Sequence, residues 1–286
     1  YVIEKHFKDK NALFDKLYEE ALEDNKESYD LKVHEVFLMN NLKEELFSIL
    51  LYLDKQLESI NYKDAMYEKQ VEVYSNFKYK DREIKTRFNG YIDKLMYKKM
   101  IMPDGNEATL VAIIDYKTSN NIKFEIDLVA YGLSLQLPIY AYLAKSINSF
   151  DNVIVGGMFI QPILDSSVIN SVANLEKYNK KRNDAKRLEG CYNVELNGEA
   201  KFSNSNDIIG PSKYYDTETI NDMVCKVEEI IDSSFKKIAK AEFDINPKRV
   251  DMKNYSCKYC EFLDICYRKE SDYIDISIKE EDEDNA

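Results

Sequence analysis

The spacing of apolar residues changes along the chain, and each change predicts a different kind of secondary structure. Up to about Ile60, apolar residues recur with the 3.6-residue period of amphipathic helices. From Tyr67 to Pro162 the pattern shortens to the alternation and apolar runs typical of strands. A polar stretch follows through about Tyr215, and the helical period then returns from Thr217 to Phe243.

The central region predicts a sheet with a crossover helix. Four segments have the composition of strands, and the turn MPDGNE lies between the second and third: YEKQVEVYS, EIKTRFNGYIDKLMY, TLVAIIDYKT and NVIVGGMFIQPI. Between the last two strands, LSLQLPIYAYLAKSI predicts a helix with Pro138 near its start, where a missing N–H costs least. The predicted fold class is therefore α/β, with a mixed central sheet flanked by helices.

These patterns divide the chain into five predicted regions. They are a helical region over 1–62, a core of strands and one helix over 63–165, a polar insertion and long helix over 166–250, a cysteine cluster over 251–271, and an acidic tail over 272–286.

Composition predicts a globular protein. Of the 286 residues, 44% are hydrophobic, which is enough for a substantial core. The sequence has neither a run of about 18 apolar residues nor a charged-then-apolar leader, so we expect no membrane span and a cytoplasmic location. Because the sequence starts at Tyr1 inside a helical pattern, we expect it to be part of a longer protein.

The net charge of −12 argues against a general nucleic-acid binder, because phosphate affinity comes largely from Lys and Arg. The tail, which ends in KEEDEDNA, is a local concentration of acid. The remaining sequence still allows a local basic groove.

The third predicted strand ends on an acid and a base. The apolar run from Leu110 to Ile114 leads directly into Asp115, Tyr116 and Lys117. Because side chains alternate along a strand, Asp115 and Lys117 share one face and Tyr116 points to the other. A solvated polar strand end is one explanation of this pattern. A catalytic site is the other.

Asp93 on the preceding strand favours the catalytic explanation. Alternation places Arg87, Asn89, Tyr91 and Asp93 on one side of that strand. If MPDGNE joins the two strands as a hairpin, Asp93 approaches Asp115, and like charges placed opposite each other need a cation between them. Two carboxylates and a backbone carbonyl suit Mg²⁺ or Mn²⁺, and a nearby lysine suits phosphodiester hydrolysis.

The order GYIDKL, IIDYKT and QLPIY resembles the D…DxK…QxxxY arrangement of RecB-type PD-(D/E)XK nucleases. The run IIDYKTSNNIKFEIDLVAYGLSLQLPIYAYL is most similar to the C-terminal nuclease domain of AddB-type helicase-nuclease subunits. The later CKYCEFLDIC, preceded by AEFDINPK, is similar to the C-x2-C-x5-C segment that closes an iron–sulfur site in that family. The resemblance implies a restriction-endonuclease-like fold with a C-terminal cysteine-rich staple.

The resemblance also implies roles for individual residues. Asp93 and Asp115 would bind the metal, Tyr116 would offer its backbone carbonyl to it, and Lys117 would be the catalytic lysine. Gln136 and Tyr140 would form the QxxxY pair that supports the active site. Taken from the residues alone, that pair can also be a polar i, i+4 pair on a helix surface.

The cysteines Cys257, Cys260 and Cys266 would hold a 4Fe–4S cluster, which needs four ligands. The resemblance implies a fourth cysteine, and a metal-binding histidine, in sequence before Tyr1. A zinc site with a fourth ligand from elsewhere is the alternative for the cysteines. His34 is the substitute for the missing histidine, ahead of His6, although a lone histidine is more often a packing or surface residue.

The predicted function is a Mg²⁺- or Mn²⁺-dependent deoxyribonuclease, and the resemblance implies an exonuclease on single-stranded DNA in a bacterial recombination or repair helicase-nuclease. The sequence contains no G-x-x-x-x-G-K-[ST] motif, so ATP hydrolysis would belong to other domains or to an AddA-like helicase subunit. The alternative is an inactive nuclease-like module that binds DNA or forms a subunit interface.

Overall fold

The structure is a computed structural model. It describes residues 10–24, 33–102, 105–118, 124–163, 180, 183–196, 208–210, 212–251, 253–254, 256–258 and 260–277. The chain forms two compact units. One comprises Tyr1–Ser75 and Arg87–Glu228, and the other comprises Asn76–Thr86 and Glu229–Ala286.

The predicted N-terminal helices are present as α1 (Lys10–Asp24) and α2 (Val33–Ser59). Their apolar faces meet at Phe14 and Phe47, whose ring centroids are 5.2 Å apart. Tyr18 donates a hydrogen bond to the backbone carbonyl of Met39 at 2.8 Å. Aromatic burial and this directed bond together hold the two helices against each other.

A six-stranded mixed sheet forms the centre of the first unit, and its strands lie in sequence order. The strands are β1 (Asp64–Tyr79), β2 (Arg82–Ile101), β3 (Glu107–Lys117), β4 (Val153–Pro162), β5 (Glu189–Asn193) and β6 (Lys213–Tyr215). β3 is antiparallel to β2 and parallel to β4, while β4 is antiparallel to β5 and β5 is parallel to β6. The predicted α/β fold class, a mixed sheet flanked by helices, is confirmed.

The central strand β3 is buried on both faces, which explains its unbroken apolar run. Leu110, Ala112 and Ile114 contribute to one core cluster together with Ile60 and Phe159. Because β3 and β4 are parallel, the chain needs a crossover between them.

The crossover contains a 3₁₀ turn (Ile126–Tyr131) and the helix α3 (Gln136–Lys145). Pro138 lies in the first turn of α3, where no intrahelical donor is lost. Ala141, Leu143 and Ala144 are fully buried. Helix α3 therefore has a fixed position relative to β3, which it contacts as well as β4.

The stretch predicted only as polar contributes two strands to the sheet. In β5, Gly190 lies opposite Phe159 of β4, and a Cβ atom built at Gly190 would lie 2.1 Å from the backbone oxygen of Met158. Only glycine allows this close approach of two backbones. The pairing of β5 with β4 thus depends on a residue without a side chain.

Helix α4 (Thr217–Lys240) follows β6 and ends three residues before the predicted Phe243. Asp216 precedes it and accepts a hydrogen bond from the backbone N–H of Thr219 at 2.7 Å, as an N-cap residue does. Its predicted apolar face is buried at Ile220, Val224 and Val227.

The second unit contains a small sheet in the order β8-β7-β9, made of β7 (Lys248–Val250), β8 (Lys253–Asn254) and β9 (Ile274–Ile276). The three clustered cysteines lie between β8 and β9. Arg249 stacks on the Tyr273 ring, with its guanidinium carbon 3.7 Å from the centroid. Among the described helices, none is both long and apolar enough to cross a membrane.

Candidate active site

The ladder between β2 and β3 ends at the two aspartates. Its last pair is Lys94 opposite Ile114, so Asp93 and Asp115 occupy the next position on each strand. Beyond that pair, the backbone N–H of Tyr116 donates a hydrogen bond to Asp93 Oδ2 at 3.0 Å. The Asp93 carboxylate thus acts as the acceptor that a neighbouring backbone would supply in a continuous ladder.

Asp115 is buried, with 1% of its surface exposed, and both of its carboxylate oxygens have partners. Lys117 Nζ lies 2.7 Å from Oδ2, and Gln136 Nε2 donates to Oδ1 at 2.8 Å. Asp115 and Lys117 therefore share one face of β3, as alternation requires. Burying a charged carboxylate costs free energy, and hydrogen bonds to both of its oxygens offset this cost.

Gln136 and Tyr140 lie one turn apart on α3 and connect the two aspartates. Gln136 Oε1 accepts from Lys117 Nζ at 2.8 Å, which fixes the orientation of the amide because an ammonium can only donate. Gln136 Nε2 also donates to the Tyr140 hydroxyl at 3.2 Å, and that hydroxyl donates to Asp93 Oδ1 at 3.2 Å. The structure thus brings together all five side chains predicted to be catalytic.

The electrostatics of this cluster favour a proton or a cation between the carboxylates. Burial raises the pKa of Asp115 to about 6, and the negative charge of Asp93 acts in the same direction, while Lys117 opposes both. Burial also raises the pKa of Tyr140 to about 12. Tyr140 therefore stays protonated and remains a hydrogen-bond donor to Asp93 at neutral pH.

Comparison with protein-family models gives a match to the PD-(D/E)XK nuclease superfamily over residues 2–267. The chain belongs to this superfamily. No curated protein matches the sequence. Membership of the superfamily agrees with the mixed sheet and supports a nuclease-like function. The two aspartates and the lysine therefore form the candidate nuclease site.

PD-(D/E)XK nucleases generally use divalent metals, and the donor set here fits such an ion. The side chains of Asp93 and Asp115 are hard oxygen donors, and a cation between them would offset the burial and the like charge that together raise the pKa of Asp115. Because the N–H and C=O of one strand residue point to the same neighbour, the carbonyl of Tyr116 faces the side on which Asp93 lies. When bound there, Mg²⁺ or Mn²⁺ would polarise a phosphoryl oxygen and acidify water.

The protein's own groups have separable roles in such a site. Lys117 can stabilise negative charge on a phosphate, and Gln136 holds both Lys117 and Asp115 in position. The side chain of Tyr116 packs against the apolar core on the other face of β3. Only the main chain of Tyr116 therefore contributes.

Other predicted ligands do not assemble into a site. In the described ranges, no group of three or more His, Cys, Asp or Glu side chains is placed to hold a metal ion. Cys257 is buried and accepts a weak hydrogen bond from the Tyr273 hydroxyl at 3.8 Å, whereas Cys260 is exposed. Among these described residues the three thiols are not gathered into one group of ligands. His6 and the side chain of His34 lie outside the described residues.

Sequence reasoning did not single out Gln161, which lies opposite Tyr116 on β4. Its side chain is fully buried, accepts from Gln56 Nε2 at 2.9 Å and donates to the backbone carbonyl of Lys186 at 2.6 Å. Gln161 thus ties the end of β4 to two other segments on the face of the sheet opposite Asp115 and Lys117. The one feature of the sequence that could have indicated Gln161 is that it is a single polar residue near the end of the apolar run NVIVGGMFIQPI.

Proposed function

We propose that this protein is a divalent-metal-dependent deoxyribonuclease that hydrolyses phosphodiester bonds, with Asp93, Asp115 and the carbonyl of Tyr116 as metal ligands. In this proposal Lys117 is the catalytic lysine. Gln136 and Tyr140 hold the two carboxylates and the lysine in position through hydrogen bonds.

The observation that carries the proposal is the closed set of hydrogen bonds linking β2, β3 and α3. Gln136 contacts Asp115, Lys117 and Tyr140, and Tyr140 contacts Asp93. These groups come from positions up to 47 residues apart in sequence. An inactive scaffold would have no need for two adjacent carboxylates, one of them buried, because that arrangement costs folding free energy.

The finer assignment is an exonuclease on single-stranded DNA, as the nuclease domain of an AddB-like subunit. It would work in the cytoplasm with an AddA-like helicase subunit that delivers the strand. The support for this assignment is the order and spacing of GYIDKL, IIDYKT, QLPIY and CKYCEFLDIC.

The test is cleavage of end-labelled single-stranded DNA in Mg²⁺ by the wild-type protein and by Asp115→Ala and Lys117→Ala. Matched controls are Asp151→Ala and Lys99→Ala, which alter an exposed acid–lysine pair 3.8 Å apart outside the site. We expect cleavage by the wild type and both controls and a loss of at least about 100-fold in the two site variants. If all five proteins leave the DNA intact, or all cleave alike, the enzyme assignment is wrong and the inactive module takes its place.

The cysteines are a separate proposal, supported by the spacing of Cys257, Cys260 and Cys266 alone. We propose a 4Fe–4S cluster in the full-length protein, with a fourth cysteine as the remaining ligand. Iron, zinc and sulfide are measured after anaerobic purification. A colourless protein that carries zinc and no iron would replace the cluster with a zinc site.

A further inference from the structure

All four carboxylate oxygens of the active site accept a hydrogen bond from the protein itself. Asp93 accepts one from a backbone N–H and one from a tyrosine hydroxyl. Asp115 accepts one from the amide of Gln136 on Oδ1 and one from the ammonium of Lys117 on Oδ2. Of these four donors Lys117 alone is charged, and hydrogen bonds between charged groups are the stronger ones.

Lys117 is the counterion of Asp115 in this arrangement. Its Nζ lies 2.7 Å from Asp115 Oδ2, and the pair is largely shielded from solvent, with 21% of the lysine side chain and 1% of the aspartate side chain exposed. A shielded ion pair is screened less by water and salt than one at the surface. Removing the ammonium therefore requires another positive charge in its place.

A divalent ion and the ammonium of Lys117 are alternatives at Asp115. Mg²⁺ binds oxygen ligands at about 2.0 to 2.1 Å. An ion on either oxygen of this carboxylate would therefore lie within a few ångströms of the ammonium. Like charges that close repel strongly where little water lies between them.

The structure provides a second acceptor to which Lys117 can be released. Gln136 Oε1 already accepts from Lys117 Nζ at 2.8 Å, so the ammonium bridges Gln136 and Asp115. An ammonium has three protons, so release from Asp115 keeps the bond to Gln136 and frees one donor. Because the amide of Gln136 is neutral, it holds Lys117 less strongly than a second carboxylate would.

We propose that Lys117 is an exchangeable counterion, which passes from Asp115 to Gln136 when the divalent ion binds. The freed donor of Lys117 then becomes available to a phosphate oxygen of the substrate. The lysine is thus prevented from engaging the phosphate until the ion is in place. This inference rests on the proposed metal-dependent function, and it adds an order to the assembly of the site.

The test is the binding of Mn²⁺ without DNA, measured from the electron paramagnetic resonance signal of the free ion. Lys117→Gln removes the charge and keeps an amide that can donate to Asp115. Lys99→Gln is the charge-matched control, at an exposed lysine 3.8 Å from Asp151. We expect Lys117→Gln to bind Mn²⁺ about ten-fold more tightly than wild type, and the control to bind as wild type does. Unchanged or weaker binding by Lys117→Gln would overturn the exchange.

A double-mutant cycle tests the part played by Gln136. Gln136→Leu removes the second acceptor, so it should weaken Mn²⁺ binding in wild type, where Lys117 then has only Asp115. In the Lys117→Gln background there is no ammonium to release, and the same substitution should have a much smaller effect. Equal weakening in both backgrounds would mean that Gln136 acts on Asp115 alone, and the exchange would be wrong.

Lys117→Arg keeps the test decisive if the neutral variant does not fold, which thermal melting in EDTA shows. A guanidinium keeps the positive charge and can form two parallel bonds to the carboxylate of Asp115. We expect Lys117→Arg to bind Mn²⁺ more weakly than wild type. Tighter binding by Lys117→Arg would contradict competition for Asp115.

Cleavage of DNA by wild type in Mg²⁺ separates this inference from the proposed function. If wild type cleaves but Lys117→Gln binds Mn²⁺ no more tightly, the exchange is wrong and the nuclease function stands. If wild type does not cleave but Lys117→Gln binds Mn²⁺ more tightly, the exchange is supported and the nuclease function is refuted. If neither protein binds Mn²⁺, both proposals are wrong.

Discussion

The side-chain amide of Gln136 donates a hydrogen bond to Oδ1 of Asp115 at 2.8 Å, so a residue of α3 orients a carboxylate of β3. Residues that orient a metal-binding group typically change activity or metal affinity by about 10- to 100-fold when removed. We therefore expect Gln136→Ala to lower the rate of DNA cleavage by that factor without unfolding the protein. Gln70→Ala, at an exposed glutamine of β1, is the control. Wild-type rates for Gln136→Ala would show that the amide has no positioning role.

The raised pKa of Asp115 predicts how stability depends on pH in the metal-free protein. Burial raises the pKa of Asp115 to about 6, so the folded state binds this proton more tightly than the unfolded state does. Between about pH 4 and pH 6 the unfolded chain carries fewer protons, and the free energy of unfolding falls as pH rises. Relative to Asp115→Asn, wild type should lose on the order of 2 kcal/mol across this window.

The measurement is urea denaturation in EDTA at intervals from pH 4 to pH 7. Asp216 provides a control of opposite sign, because the backbone N–H of Thr219 lowers the pKa of that carboxyl. Asp216 therefore adds to the free energy of unfolding above the ordinary carboxyl pKa, and this stabilisation is lost as pH falls through the lowered pKa of Asp216. A wild-type curve that runs parallel to that of Asp115→Asn would contradict the assigned burial effect.

Asp93 has both a chemical and a structural role, and two substitutions separate them. Asp93→Asn removes the negative charge but keeps an oxygen that can accept the Tyr116 N–H. Asp93→Ala leaves both that N–H and the Tyr140 hydroxyl without their carboxylate acceptor. We expect both variants to lose cleavage, and Asp93→Ala to lose a further amount of stability of about 1 to 3 kcal/mol in urea denaturation. Equal stabilities would mean that solvent replaces the carboxylate at no cost.

Gly190 should be intolerant of even one methyl group. A Cβ atom there would lie 2.1 Å from the backbone oxygen of Met158, and backbone cannot move aside as a flexible side chain can. Gly190→Ala should therefore destabilise the protein by more than about 2 kcal/mol, through separation of β5 from β4. Gly210→Ala is the matched control, because its nearest contact would be 3.4 Å away. Thermal melting distinguishes the two, and a normal melting temperature for Gly190→Ala would show that the β4–β5 pairing adapts to the added methyl group.

The sequence predicts those strands and helices in which apolar residues recur at a regular interval. β2, β3, β4 and α3 occupy the predicted segments, because each buries a complete face or both faces and so must repeat apolar residues at a fixed interval. The predicted hairpin also brings Asp93 and Asp115 together, and in the structure they lie opposite each other, one position beyond the last pair of the ladder. Their catalytic roles stay a prediction, as do the five sequence regions.

The short strands could not be predicted in the same way. β5 has five residues, and β6, β7 and β9 have three each, too few to show a period. The strands β5, β6 and β9 pair with strands that are distant in sequence, so only tertiary packing determines these pairings. The same limit applies to Gln161, whose partners Gln56 and Lys186 are 105 and 25 residues away.

The hydrogen bond from Tyr116 to Asp93 makes one backbone proton sensitive to the state of the active site. An amide within a ladder exchanges with solvent deuterium only when two strands separate. The Tyr116 amide is bonded to a carboxylate, so it is released whenever that side chain turns toward another partner. Its deuterium exchange rate therefore reports directly on Asp93 in the resting protein, with no substrate and no label attached.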